Sequence, residues 1–384
     1  MKRAILVFLK FPEPGRVKTR LAANLGPEEA ALAYRKMVCR VFEQCRKARP
    51  DAIGIAFDPP ENLEGIQAWL RPWLDAYFGE VAWIPQSPGD LGERLEGAVA
   101  DAFDCFGPSK LAVIGTDCVN LEIEIFDTAW RSLEREKTVV FGPADDGGYY
   151  LAGVSEPRPE LFKDIPWSSS STLEASISAA KEAGLSVSLL ASRTDIDTLA
   201  EWKSEEKELT GRRCVFFDRD GVVNRSPGPG YVLSEGAFHL NPGIPEALNW
   251  LKERDWLSIL VTSQRGVGKG LMTEDDLDRI HQKMQTELAQ SGAGFDGIYA
   301  YTGKENCLHL PKPDPEMIVS ASESFFIDLR RSYVVGDADR DIEMGKNAGL
   351  AGTIRIKGEK PIGIDADWTL QETTEIIELF GEIL

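Results

Sequence analysis

Two stretches of the chain end an apolar run on carboxylates. CVFFDRDGVVN sets Asp218 and Asp220 two residues apart with Gly221 behind them, and SYVVGDADRD sets Asp337 and Asp341 behind a second run. In an extended chain residues two apart face the same side, so Asp218 and Asp220 can project together beyond a strand's end. Gly221 permits the sharp turn that this placement needs. Four acids gathered at one point repel and take up protons unless a cation neutralises them. A hard divalent ion with oxygen ligands, most simply Mg2+, meets that need. WLSILVTSQRG adds Thr262 at the end of another apolar run, a neutral donor for an oxyanion, and LPKPDPEM holds Lys312 between prolines in a stiff loop. A carboxylate nucleophile, a second carboxyl group two residues on, a hydroxyl, a lysine and a metal-binding aspartate are the parts that move a phosphoryl group. Asp341 also fits the cap of the helix that follows it.

The first half carries a different set. FLKFPEPGRVKTRLAANLG places Lys10, Arg16, Lys18 and Arg20 close together behind the first apolar run of an otherwise acidic chain. A basic, glycine-containing loop between a strand and a helix is where a di- or triphosphate lies. It is neither GxxxxGKS nor GxGxxG. LAVIGTDCVNL puts Asp117 at the end of a buried run, RTDIDTLAEW offers Asp195 and Asp197, and FGPADDGGYYLAGV sets Asp145 and Asp146 ahead of Gly147 and Gly148, a flexible acceptor-side loop. Simpler roles exist for some of these: Arg20 as a surface residue at a helix start, Asp197 as a helix cap, Asp145 as a turn residue.

The elements that must position these residues are legible as an alternation. RAILVFL, AIGIAF, VAWIP, LAVIG, TVVFG, YYLAGV and SVSLL alternate with amphipathic stretches, the pattern of a mostly parallel sheet covered by helices. The polar stretch LAEWKSEEKELTGR interrupts it, and a second alternation begins with RCVFFD and continues through WLSILVT, GIYAYT, SYVVGD and GTIRI. The expected architecture is therefore α/β, with two doubly wound, mostly parallel-sheet domains at residues 1–208 and 209–384. A chain of 384 residues exceeds what one core usually supports.

Composition sets outer limits. The formal net charge of -19 opposes nucleic acid and anionic membrane surfaces, so the expected partners are small molecules. The apolar run before Lys10 is too short for a secretory core, and no apolar stretch is long enough to span a bilayer. Six cysteines scattered without paired spacing read as reduced thiols, so a cytoplasmic setting is expected.

DRDGVVN, VTSQRGVGKG, KPDPEM and VGDADRD, in that order, resemble the four motifs of haloacid-dehalogenase (HAD) type phosphatases, in the branch that holds heptose-1,7-bisphosphate and histidinol-phosphate phosphatases. The resemblance spans about 213 to 357 and includes YVLSEGAFHLNPG, similar to that branch's short segment after the first motif. It implies that Asp218 attacks phosphorus, that Asp220 serves as acid and then base, and that Thr262 and Lys312 hold phosphoryl oxygens. It further implies that Asp218, Asp220, Asp337 and Asp341 surround Mg2+, Asp341 orienting the lysine or a metal-bound water, with a small phosphorylated sugar or polyol as substrate and no large cap domain. The chain departs from the heptose-bisphosphatase pattern at CLHLPKP: Pro311 stands at the place of an arginine, and Cys307 and His309 are two ligands where a structural zinc takes four, so no zinc is expected.

KFPEPGRVKTRLA, QSPGDLGERL, GTDC, GPADDGGYYLAG, IPWSSSSTL and DIDT together resemble a bacterial family of GT-A-fold transferases similar to nucleotidylyltransferases of the phospholactate and molybdenum-cofactor type, over nearly all of residues 1 to 200. Val119 follows GTDC where that family usually has proline. The resemblance implies a nucleoside triphosphate or nucleotide-sugar as partner, with Lys10, Arg16, Lys18 and Arg20 on its phosphates, Asp117 and Asp197 on Mg2+, and Asp146, Gly147 and Gly148 shaping an acceptor pocket. Two organisations follow: a bifunctional enzyme joining a phosphatase to a glycosyl- or nucleotidylyltransferase, or a phosphatase with a non-catalytic nucleotide-binding regulatory half.

Overall fold

The structure, a computed structural model, describes residues 2–74, 79–205, 209–358 and 360–384. The chain divides into two compact units, Met1–Thr210 and Gly211–Leu384. The junction expected after residue 208 falls on residues 206–208, which lie outside the described residues.

The first unit is built on seven strands: β1 (Arg3–Lys10), β2 (Ala52–Asp58), β3 (Glu80–Pro85), β4 (Lys110–Ile114), β5 (Thr138–Pro143), β6 (Tyr149–Val154) and β7 (Ser186–Leu189), in the order β3-β2-β1-β4-β6-β5-β7. Only β6 runs antiparallel, against both β4 and β5. β1 is buried on both faces: Ala4 and Leu6 enter one apolar cluster while Ile5 and Val7, equally buried, face the other side. That is why its sequence is a continuous apolar run rather than an alternating one. The chain winds outward from β1 through β2 to β3, then crosses to β4 on the opposite flank. The tips of β1 and β4 therefore border the point where the winding reverses, the usual ligand position of an open α/β sheet.

The second unit repeats the principle with β8 (Cys214–Phe217), β9 (Leu257–Ser263), β10 (Gly297–Tyr301), β11 (Tyr333–Gly336), β12 (Gly352–Ile356) and β13 (Trp368–Leu370), ordered β10-β9-β8-β11-β12-β13, with every pairing parallel. Val215 and Phe217 of β8 pack into one core cluster, Cys214 and Phe216 into another. Here the winding reverses between β8 and β11, so Asp218 and Asp337, each one residue past its strand, are carried to the same crevice. Between Asp218 and the helix Ile244–Glu253 the described residues hold a short 3-10 turn, Glu235–Ala237, and two isolated bridges at Asn224, too little to build a separate cap domain there. Every apolar run named from the sequence is a strand; the short edge strand β13 was not foreseen.

Candidate functional site

At the carboxyl tips of the second sheet, Asp218, Asp337 and Asp341 are buried and offer carboxylate oxygens within 4.8 Å of one another. Each is placed by a different device. Asp218 continues β8, and its backbone N–H donates to Val335 O at 2.9 Å, which locks β8 to β11 at the tip. Gly221, at φ 97°, turns the chain so tightly that a Cβ there would lie 2.1 Å from Asp337 Oδ2. Asp341 sits in the first turn of the helix Asp339–Asn347, where Oδ2 accepts the Ala338 N–H at 3.0 Å and Oδ1 is left to face the crevice. It therefore caps the helix and serves the site at once.

Lys312 joins two of the three acids. Its fully buried ammonium donates to Asp218 Oδ1 at 2.7 Å and to Asp341 Oδ1 at 2.8 Å. Burial disfavours the charged lysine, but the two carboxylates outweigh it and hold its pKa above the ordinary value. Burial likewise works to raise Asp218, yet Lys312, supported by Arg340 and Lys360, holds it below the usual carboxylate range. Asp337 goes the other way: burial, and then the charge on Asp218, push it up to about 6, against the pull of Lys360 Nζ at 2.6 Å from its Oδ1.

Thr262, at the end of β9, is buried, and its Oγ1 accepts from Gln264 Nε2 at 2.8 Å, which leaves the hydroxyl proton free to donate. Asp220, expected among the ligands, is not in the carboxylate cluster. A collar of donors holds its oxygens: Arg219, Asn224 Nδ2 at 3.0 Å and Gln264 Nε2 at 3.0 Å. Sequence reasoning missed that collar. Arg219 is wholly buried and donates through Nη2 to both Asp220 and Gln264. Its only sequence signal was its place inside the DRDG run. Lys360, in a polar loop beyond β12, had none.

The donor set fits a hard divalent cation. All the donors are oxygens, and Asp218 Oδ2 is buried with no hydrogen-bond partner. Further out, Cys307 Sγ accepts the Thr302 N–H at 3.3 Å and His309 Nδ1 lies 3.1 Å from Glu316 Oε2.

In the first unit the structure brings Lys18, Asp117 and Asp197 to one point at the tips of β1 and β4. Lys18 Nζ contacts Asp117 Oδ1 at 2.8 Å, Asp197 Oδ1 at 2.9 Å and Ile196 O at 2.6 Å, and its side chain is 5% exposed. The Lys18 side chain is turned inward and buried, and Asp117 and Asp197 each give it one oxygen. Arg20 Nη1 takes the second oxygen of Asp197 at 3.2 Å. Arg16 is exposed and pairs with Glu13, and Lys10 is exposed with its backbone N–H on Tyr34 Oη at 3.0 Å. Asp146 accepts the Gly148 N–H at 2.8 Å, and Gly147, at φ 90°, passes so near the Ser170 carbonyl that a Cβ would lie 2.2 Å from it. Asp145 accepts from the Ser192 hydroxyl at 2.6 Å and the Thr194 hydroxyl at 2.7 Å, both from a distant segment. Asp195, beside the same group, is pushed up to about 7 by burial and then by Asp117 and Asp146.

A wholly parallel sheet whose reversal point gathers buried aspartates around a buried lysine defines an α/β phosphohydrolase. Comparison with known proteins makes this specific. The family model described as haloacid dehalogenase-like hydrolase matches residues 228–349, a span that holds Thr262, Lys312, Asp337 and Asp341. D-glycero-alpha-D-manno-heptose-1,7-bisphosphate 7-phosphatase of Burkholderia mallei is 39% identical over 152 residues, covering 38% of this chain and 79% of the relative. The D-glycero-beta-D-manno-heptose-1,7-bisphosphate 7-phosphatase of Pasteurella multocida is 34% identical over 179 residues, 44% of this chain and 96% of the relative. The chain therefore belongs, through its second unit, to the HAD-type phosphatases and is a phosphomonoester hydrolase. Residues 41–169 match DUF2064, a family described as uncharacterised protein conserved in bacteria. Among solved structures, one described as a nucleotide-diphospho-sugar transferase from Desulfovibrio desulfuricans G20 is 28% identical, covering 54% of this chain and 97% of that one, with a TM-score of 0.46. The D,D-heptose 1,7-bisphosphate phosphatase of B. bronchiseptica, complexed with magnesium and phosphate, is 27% identical, covering 44% and 99%, with a TM-score of 0.39.

Proposed function

We propose that residues 211–384 hydrolyse the phosphate ester of a small phosphorylated sugar or polyol through an aspartyl-phosphate. The observation that carries this reading is the seat of Asp218: one oxygen is fixed by Lys312, the other is buried without a partner, and Asp337 stands beside it. The Asp218 carboxylate attacks phosphorus, forming an acyl phosphate as the bond from phosphorus to the sugar oxygen breaks. Asp220 gives a proton to the departing alkoxide. It then takes one from the water that attacks the acyl phosphate, which releases inorganic phosphate and restores Asp218. The Thr262 hydroxyl and the Lys312 ammonium hold phosphoryl oxygens as charge redistributes, and Asp341 keeps Lys312 in register. Asp218 and Asp337 are the residues that would hold Mg2+, which supplies charge neutralisation between the attacking carboxylate and the phosphoryl group.

The relatives' names point to heptose 1,7-bisphosphate, and the Pro311 that precedes Lys312 makes a different phosphorylated sugar an equal object of test. A phosphate-release screen with Mg2+ over heptose bisphosphate and over sugar and polyol monophosphates tests the reading. Turnover of at least one, lost on chelation, is expected; no release from any of them contradicts it.

For the first unit the reading is a nucleotide-dependent transferase, glycosyl or nucleotidylyl, with Lys10, Arg16 and Arg20 near the phosphates and Asp146, Gly147 and Gly148 at the acceptor side. Its support is the reversal of winding between β1 and β4, with the basic loop at that point. Pyrophosphate or nucleoside diphosphate released in the presence of a nucleotide marks catalysis, whereas binding without release marks a regulatory module. The setting is the cytoplasm, in keeping with six cysteines that form no disulfide among the described residues.

A further inference from the structure

We propose that Lys18 is the built-in cation of the first unit, standing where a divalent ion would otherwise sit, so that this unit holds no divalent metal of its own. An ammonium has three protons to donate, and Lys18 has three acceptors at hydrogen-bond distance: Asp117 Oδ1, Asp197 Oδ1 and the Ile196 carbonyl. Its coordination is complete. The acceptors are themselves fixed, because the Ile196 N–H donates to Asp117 O at 2.9 Å and ties the two acid-bearing segments together. Lys18 adopts φ 46°, ψ 48°, a left-handed conformation that a non-glycine residue seldom takes.

Electrostatics gives the same assignment. Two carboxylates converging on one point need a positive charge, and a tethered lysine supplies it at high effective concentration, so a free ion must displace it. Arg20 occupies the other oxygen of Asp197, which leaves that carboxylate no oxygen without a cationic partner. Asp195 interacts electrostatically with Lys18 from the same segment as Asp197, without touching its ammonium. The second unit differs on each count. Its lysine contacts Asp218 and Asp341 and leaves one oxygen of Asp218 buried without a partner, and among the described residues its aspartates are the one cluster of three or more ligating side chains spaced to hold an ion.

The test counts ions. The metal-stripped full chain is titrated with Mn2+ alone, and bound ion is measured by the loss of the free-ion paramagnetic resonance signal. One ion per chain is expected for the wild type and none for Asp337→Asn. Lys18→Met should bind two, and Lys18→Met combined with Asp197→Asn should return to one. A wild-type count of two, an ion retained by Asp337→Asn and lost when Asp197→Asn is added, or a folded Lys18→Met that gains nothing each overturns the proposal. Circular dichroism checks folding. If Lys18→Met does not fold, the wild-type count still decides, since a second ion in the wild type overturns the proposal by itself. None of these readouts uses a nucleotide, so failure of the transferase reading leaves the ion count unaffected.

Discussion

Lys312 concentrates the argument at the scale of single residues, because it neutralises two buried carboxylates that nothing else pairs in the same way. Replacing it by Met leaves both charges buried, so we expect a loss of stability on the order of 3–5 kcal/mol and a turnover lower by at least about 100-fold, read by thermal melting and phosphate release. Asp337 yields a prediction of opposite sign. Its pKa in the folded chain, about 6, exceeds the ordinary carboxylate value, so the stability it contributes is fully present at low pH and is lost as pH rises through 6. In chelator, Asp337→Asn should therefore match the wild type near pH 4 and melt progressively higher than it toward pH 7; a constant difference contradicts the assignment. Asp218, Asp220, Lys312 and Asp337 could be singled out in the sequence, because each stands at or just beyond the end of an apolar run or between prolines. Gln264, Arg219 and Lys360 could not. Their roles come from contacts across the sheet, and an amide, an arginine beside an aspartate or a loop lysine carries no local signature of such contacts.

At the scale of elements, the site depends on tips rather than on strand interiors. The turn after β8 admits no side chain at Gly221, where a Cβ meets Asp337. Gly221→Ala should cost about 1–3 kcal/mol in stability and weaken metal binding, measured by melting and by Mn2+ titration, while an equivalent change at the open Gly228 should leave Mn2+ binding as it is. The strands themselves were readable because β1, β8 and β11 are buried on both faces and so cannot alternate in polarity. What the sequence left open was direction: YYLAGV reads like its neighbours, yet β6 runs antiparallel, a property set by connection length and pairing rather than by composition. Lys18 shows the same limit. A lysine in a basic loop reads as a phosphate ligand, and only the approach of Asp117 and Asp197 from distant segments reveals that it is already paired.

At the scale of the whole molecule, two units of similar architecture meet their negative charge differently, one with a lysine that completes its own coordination and one with a cluster that leaves an oxygen over. Hydrogen exchange with and without Mg2+ should accordingly show added protection at 218–224 and 336–341 and no change at 16–20, 115–118 and 195–198. Protection in the first unit would contradict the division of roles. The claim on which the rest depends is that Asp218 is the nucleophile, and phosphate release by Asp218→Asn with Mg2+ tests it most directly. The account predicts a folded variant with nearly all turnover lost on every substrate the wild type accepts; a variant that releases phosphate at the wild-type rate would contradict it.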